Sequence, residues 1–268
     1  MYAFDYHRPD SLAAAVALRL SAADGVFLAG GMTLIPTLKQ RLASPSDLID
    51  LACVPGLRGI EVKGERVVIG AMTCHAEVAD SPEVQSAIPA LAHLAGLIGD
   101  TQVRNRGTMG GSIANSDPSA DYPAAVIALG ATIVTDQREI AAGDYFKSLF
   151  ETALEPGEMI RAIAFPVPRR AAYQKFPNPA SRYAVVGVFV AQFAEGVRVG
   201  VTGAGPCAFR ARTIEDALAQ RLAPEAVDAA AIDHSRFNSD LHASAEYRAN
   251  LLRVMARRAV AELLGKPA

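Results

Sequence analysis

Tryptophan is absent from this chain, and cysteine occurs only at Cys53, Cys74 and Cys207. The three thiols are too far apart for a Cys-x-x-Cys cradle, so the chain on its own provides no iron–sulfur or zinc site of that kind. An odd, sparse thiol count fits a reducing compartment, and a cytoplasmic location is expected. Charge of one sign is also lacking: the formal net charge is -2, which gives no electrostatic footprint for nucleic acid or an anionic membrane. No window approaches the about 18 uncharged apolar residues of a membrane span. Asp5, His7, Arg8 and Asp10 precede the first apolar run, contrary to the basic start and unbroken apolar stretch of a secretion signal. The five histidines (His7, His75, His93, His234 and His242) share no metal-ligand spacing. A Gly-x-Ser-x-Gly nucleophile elbow is missing, as are a G-x-G-x-x-G fingerprint and the Lys-Ser/Thr of a P-loop. If such a chain performs chemistry, a bound cofactor is its agent.

What is present is a length of 268 residues, enough for two domains or one large one with a sizeable core. Residues 1–55 alternate short apolar runs with helical patterns. Asp10 or Ser11 can cap a helix through Leu20, VFLA (26–29) and DLIDL (47–51) suit buried strands, and LIPTLKQRL suits a helix capped by Thr33 with Pro36 in its first turn. From Leu57 the period changes. LRGIEVKGERVVIGA predicts a hairpin turning at Lys63, Gly64 and Glu65, and helical patterns run to Ile98 with breaks at Pro82 and Pro89. A loop is expected from Gly99 to Pro118, then a helix over YPAAVIALG, a hairpin of ATIVT with REIAA, and a strand over EMIRAIAFP. The clusters Pro166–Pro168 and Pro177–Pro179 suggest a hinge. Beyond them YAVVGVFVAQF and VRVGVTGAG predict paired strands. The last helix puts Tyr247, Leu251, Met255 and Ala259 on an apolar stripe and Arg248, Arg253, Arg257 and Arg258 on another face, solvated in the favoured reading and docked onto a partner in the alternative.

Two stretches carry paired glycines: VFLAGGMTLIP, with Gly30 and Gly31, and RNRGTMGGSIANSDP, with Gly110 and Gly111. Adjacent glycines let backbone approach a ligand closely and can form a concave run of N–H groups suited to phosphate. The first pair lies between a strand and a helix start, so the helix dipole adds to the same spot. A lone Gly-Gly is compatible with a mere turn; two such loops, flanked by hydroxyls at Thr33, Thr108 and Ser112, argue for one shared diphosphate. Arg104 and Arg106 either bind phosphate or buttress the loop carbonyls, with buttressing the favoured reading. Asp117 and Ser119 suit an Asx turn before the helix at 122, and Asp121 is the better candidate for a carboxylate that accepts from ligand hydroxyls.

The strings LAGGMTLIPTLKQRL and VRNRGTMGGSIANSDPSADYPAA, with PGLRGIEV, VVIGAMT and KFPNPASRYAVVG in order between and after them, resemble the FAD-binding medium subunit of the molybdenum hydroxylases, the group of xanthine dehydrogenase and carbon monoxide dehydrogenase. The resemblance covers essentially the whole chain. It implies an α+β fold: an FAD-binding domain of the vanillyl-alcohol-oxidase (PCMH) type over 1–170, in subdomains of about 1–55 and 56–170, then a C-terminal domain over 171–268 with a three-stranded sheet plus helices. By the same resemblance Phe27 and Leu28 lead into a diphosphate loop of Ala29, Gly30, Gly31, Met32, Thr33 and Leu34. The second motif corresponds to Thr108, Met109, Gly110, Gly111 and Ser112. Asp121 matches a family carboxylate, Ile98 and Ile160 match apolar contacts, Lys175 matches a lysine, and Tyr183 matches an aromatic near one flavin face.

Two positions depart from that pattern. Val26 stands where many relatives carry lysine, and Ser112 replaces the usual Asn or Asp, so FAD is expected to rely on backbone donors. The role implied is electron transfer. Substrate would be oxidised at a molybdopterin cofactor in a large partner subunit, and electrons would pass through two 2Fe–2S clusters in a small partner to FAD here and on to an external acceptor. The expected assembly is a dimer of heterotrimers. The alternatives are a stand-alone flavin-dependent oxidase or reductase, for which Lys175 and Tyr183 are the aligned acid–base candidates, and a non-catalytic nucleotide-binding module.

Overall fold

The structure is a computed structural model that describes residues 1–266. The N-terminal unit holds β1 (Asp5–His7), α1 (Leu12–Ser21), β2 (Gly25–Leu28), α2 (Leu34–Lys39) and β3 (Asp47–Asp50), its strands forming a parallel sheet in the order β1-β3-β2. Ser11 caps α1 by accepting from the Ala14 N–H at 3.3 Å. Thr33 does not cap α2: its backbone is already helical, its side chain makes no capping bond, and its carbonyl takes both the N–H and the hydroxyl of Thr37. Ala15, Ile49, Leu51, Val54 and Leu57 form a small core that Met159 joins from the following unit.

That second unit is built on an antiparallel sheet of order β4-β5-β10-β6-β7, from β4 (Ile60–Lys63), β5 (Arg66–Gly70), β6 (Thr132–Thr135), β7 (Glu139–Ala141) and β10 (Ile160–Pro166). Between β5 and β6 run α3 (His75–Asp80), α4 (Pro82–Ala87), α5 (Pro89–Gly96), α6 (Thr101–Arg106), α7 (Met109–Asn115) and α8 (Tyr122–Leu129). Pro82 and Pro89 open helices rather than interrupt one, each at a first position where the missing N–H is no loss. The expected loop between Gly99 and Pro118 is largely helical. Asp100 caps α6 and Thr108 caps α7, so the second glycine pair lies in the first turn of a helix. All eight residues of α8 are buried, as expected for a helix apolar on every side. After β7 come α9 (Ala142–Tyr145) and the small ribbon of β8 (Phe146–Ser148) with β9 (Glu151–Thr152).

The C-terminal sheet has four strands rather than three: β11 (Arg170–Pro177), β12 (Ala184–Phe193), β13 (Gly196–Thr202) and the two-residue β14 (Phe209–Arg210), antiparallel throughout. One face buries Val186, Val188, Val190, Val199 and Val201 against α10 (Arg212–Gln220) and α11 (Ala245–Leu263). The other face sets Tyr173, Phe189 and Ala191 into the core that contains α8. A side chain at Gly200 would lie 2.1 Å from the Ala124 carbonyl, so sheet and helix touch through backbone. Arg248 is not on a solvated face. It is 3% exposed and donates to the carbonyls of Val185 and Gly203 at 2.7 and 2.8 Å and to Asp240 at 2.7 Å. Among the described residues no helix is long and apolar enough to cross a membrane.

Candidate functional site

β2 delivers the first glycine pair to the seam between the first two units. Gly30 packs so closely that a Cβ there would lie 1.9 Å from the Arg106 carbonyl oxygen, and Gly31 takes φ +73°, a conformation side chains disfavour. The backbone N–H groups of Gly30, Gly31, Met32 and Thr33 donate to no acceptor among the described residues. They form a run of open donors at the entrance to α2, which is the composition of an anion nest.

The second pair works differently. Met109 and Gly110 donate to the carbonyls of Thr73 and Ala71 at 3.0 and 2.8 Å, Gly111 to the Thr108 hydroxyl at 3.1 Å, and Ser112 to the Thr108 carbonyl at 3.0 Å. These N–H groups are engaged within the fold, so the expectation of a second open nest is corrected. Glycine is required at 110 because a Cβ would lie 2.5 Å from that of Ala71. What this stretch offers a ligand is a close wall at Gly111 and the hydroxyls of Thr108 and Ser112.

Between these walls runs a cleft of about 800 Å³, within the range of small-molecule and cofactor sites. It is lined by Phe27, Ala29, Gly30, Gly31, Met32, Thr33, Leu34, Ile98, Thr108, Gly110, Gly111, Ser112, Asp121, Ile160 and Tyr183. Leu28, Met109 and Lys175 are not on its wall. Met109 is fully buried beneath it. Lys175 stands behind Asp121, with its side chain 5% exposed, and is no ordinary surface lysine. Sequence reasoning missed Arg19, Met72, His75, Val103, the turn 154–159 and Ser181, all of which line the cleft; they carry no local pattern that distinguishes them from surface or core.

Asp121 is the hub of a buried network. Its Oδ1 accepts from the Tyr173 hydroxyl at 2.5 Å and lies 2.9 Å from Lys175 Nζ, while Nζ also donates to the carbonyls of Leu97 at 2.9 Å and Arg182 at 3.0 Å. Burial pushes the Asp121 carboxyl up, and Lys175 and Tyr173 oppose that shift. The bond to Arg182 pins the loop that presents Tyr183, which is 43% exposed. Arg104 buttresses, donating to the carbonyls of Ile98 and Gly99 at 3.0 and 3.4 Å, and Asp117 makes its Asx turn with the Ser119 N–H at 2.8 Å.

His75 packs under Gly107, 5% exposed, with Nδ1 lacking any hydrogen-bond partner. Burial and nearby Arg104 push its pKa down to about 4, so it is neutral at pH 7. Between pH 6.5 and 4 the unfolded chain binds a proton that the folded chain refuses. Stability therefore falls with pH across that window, by up to about 3 kcal/mol. Urea unfolding at stepped pH should show this slope in the wild type and lose much of it in His75→Gln. An unchanged slope in the variant excludes His75 as its source.

An open backbone nest facing a small-residue wall, with aromatic and aliphatic groups along an extended cleft, defines a protein that holds a nucleotide-type cofactor between two units of mixed helix and strand. Comparison with known proteins gives the particular kind. A family described as the FAD binding domain in molybdopterin dehydrogenase matches residues 2–168, and one described as the CO dehydrogenase flavoprotein C-terminal domain matches residues 171–263. The carbon monoxide dehydrogenase medium chain of Hydrogenophaga pseudoflava is 38% identical over 96% of both chains. The nicotine 6-hydroxylase medium subunit of Paenarthrobacter nicotinovorans is 34% identical over 97% of both. Among solved structures, a Cu,Mo-CO dehydrogenase chain superposes with a TM-score of 0.89 at 35% identity over 100% of both chains. A chain of quinoline 2-oxidoreductase from Pseudomonas putida 86 gives 0.89 at 27% identity, covering 98% of this chain and 97% of that one. The chain belongs to the FAD-binding medium-subunit family of the molybdenum hydroxylases, and FAD is its cofactor.

Proposed function

We propose that this chain is the electron-transfer subunit of a heteromeric molybdenum hydroxylase, with FAD along the cleft and its diphosphate on the Gly30–Gly31 nest. In this reading residues 1–170 form the FAD-binding part and 171–268 a C-terminal part. A small iron–sulfur subunit and a large molybdopterin subunit complete the assembly as a dimer of heterotrimers. FAD supplies the redox centre. This chain's residues hold it, exclude water from one side and admit an external acceptor.

The observation that supports the reading is that neither aligned acid–base candidate, Lys175 or Tyr183, is poised to move a proton at the cleft wall. Lys175 stands behind the wall, engaged by Asp121 and two carbonyls, and burial raises the Tyr183 hydroxyl. A stand-alone oxidase or reductase needs a proton-handling group beside the flavin; a subunit that passes electrons onward does not. The relatives fit this division of labour. Names as different as carbon monoxide, nicotine and quinoline accompany closely similar chains, so substrate choice falls to a partner.

The test is reduction of the bound flavin. In the assembled complex, substrate should bleach the oxidised-flavin absorption, whereas the FAD-loaded chain alone should stay oxidised with the same substrates. Turnover by the isolated chain overturns the proposal. Gly111→Val probes the placement of FAD. A Cβ there meets the Thr108 hydroxyl at 2.8 Å and lies 3.6 Å from the Ala29 methyl, so the wall fills. Affinity for FAD should fall at least about tenfold, equivalent to about 1.4 kcal/mol. Normal flavin content in that variant shows that FAD does not lie along this wall.

A further inference from the structure

We infer that Arg19 secures the adenosine end of FAD, a contact supplied by α1 and by neither glycine pair. The inference rests on the cleft being the FAD site. Arg19 lines that cleft beside Gly25 and Val26. Its Cδ lies 3.4 Å from the point a Cβ on Gly25 would occupy, so the missing side chain leaves the arginine room to lie along β2. Leu20, the next residue, lies 2.8 Å from the Cβ position of Gly157, so this end of α1 meets the turn 154–159 where the two walls of the cleft join.

Arg19 has neither an ion pair nor a side-chain hydrogen bond among the described residues. The other charged groups on the wall are acidic, and most are engaged. Asp121 holds Lys175 and Tyr173, Glu158 holds Arg138 at 3.0 Å, and Asp117 takes the Ser119 N–H. His75 is uncharged at neutral pH. Arg19 is therefore the one permanent cation on the cleft wall among the described residues, facing a cofactor that is an anion.

Position decides which half of FAD it meets. Tyr183 lies between Arg182, which reaches the Gly99 carbonyl at 3.4 Å, and Ala184, which donates to the Ser119 carbonyl at 3.2 Å, whereas Arg19 lies at Gly25, the start of the strand that leads into the nest. At about 3.3 Å per residue, β2 carries the chain roughly 10 Å from Gly25 to Leu28 before it turns into the nest. Tyr183 and Arg19 thus reach the cleft from different elements, Tyr183 from the loop before β12 and Arg19 from α1 at the start of β2. With the flavin ring at the aromatic end and the diphosphate on the nest, the AMP half extends toward Arg19. A planar guanidinium both stacks on a purine and donates to ribose or phosphate oxygens.

The full-length chain, freed of flavin, is titrated with FAD, ADP and FMN by calorimetry, as wild type, Arg19→Ala, Arg19→Gln and Arg19→Lys. Removing the guanidinium should weaken FAD and ADP about tenfold and leave FMN unchanged. Arg19→Lys should retain part of the affinity at low salt, and the salt dependence of FAD binding should shrink in Arg19→Ala. Wild-type FAD affinity in Arg19→Ala, alongside flavin-free Gly111→Val, overturns the Arg19 contact alone. Equal losses for FAD and FMN overturn the assignment to the adenosine end. Normal FAD binding in Gly111→Val overturns the cleft reading itself, and this inference with it.

Discussion

Gly30→Ala is expected to yield flavin-free protein of lowered Tm. The added methyl would lie 1.9 Å from the Arg106 carbonyl oxygen, 2.7 Å from its carbon and 2.9 Å from Gly107 Cα. None of these is the end of a flexible side chain, so relief requires the first two units to move apart. Overpacking of this kind costs about 1–3 kcal/mol, and more where backbone has to shift. Displacement also moves the open N–H groups at 30–33 away from the wall at Gly111. Gly111→Ala meets only the Thr108 hydroxyl and the Ala29 methyl, and should keep its Tm better while still binding flavin poorly. Gly143→Ala, where a Cβ meets nothing within 4 Å, is the control. Differential scanning calorimetry with flavin content per chain separates the three. A Gly30→Ala protein with wild-type Tm and full flavin would show that the seam is not as tight as the structure has it.

Lys175→Met should destabilise the chain by about 3–5 kcal/mol, the usual consequence of leaving one member of a buried pair unpaired. Asp121 is 4% exposed and keeps the Tyr173 hydroxyl as its one side-chain partner among the described residues, while the carbonyls of Leu97 and Arg182 lose their shared donor. Burial already raises the Asp121 carboxyl, and removing the lysine raises it further. In the variant the folded chain therefore holds a proton that the unfolded chain releases, so the deficit relative to wild type should narrow as pH falls from 7 toward 5. Asp121→Asn combined with Lys175→Met should recover much of the loss, because a neutral amide needs no cation. Urea unfolding of wild type, Lys175→Met, Asp121→Asn and the double variant at both pH values measures this. Additive losses in the double variant would show that the two side chains do not act as a pair.

Much of the scaffold was readable because local pattern and tertiary need agree. Ser11 with the apolar rhythm after it gives α1, the alternation around Gly64 gives the β4–β5 hairpin, and the uniformly apolar YPAAVIAL gives a fully buried helix. Elsewhere they diverge. Glycine disfavours helix by about 1 kcal/mol relative to alanine, so Met109–Asn115 suggests a loop. It is helical because Gly110 has to lie on Ala71 and Thr108 supplies the cap. Lys175 and Arg248 suggest surface because their partners are remote in sequence: Asp121 lies 54 residues away and the Val185 carbonyl 63. For the candidate site, glycine chemistry suggested two nests where the backbone leaves one open. The resemblance supplied most of the cleft wall, and Arg19 and His75 emerged only once α1, α3 and the turn 154–159 were brought together.

Because the backbone of Gly30 rests directly on the Arg106 carbonyl, neither glycine stretch is a portable module. Each is shaped to a backbone surface encoded some 75 residues away, so each keeps its form only against the other. A chimaera that takes residues 25–42 from one relative and 99–118 from another inherits two halves of a lock cut for different keys. Because the contact is backbone on backbone, no side-chain change at 106 should rescue a Cβ at 30, and only a shift of the whole 99–118 segment could make room for it.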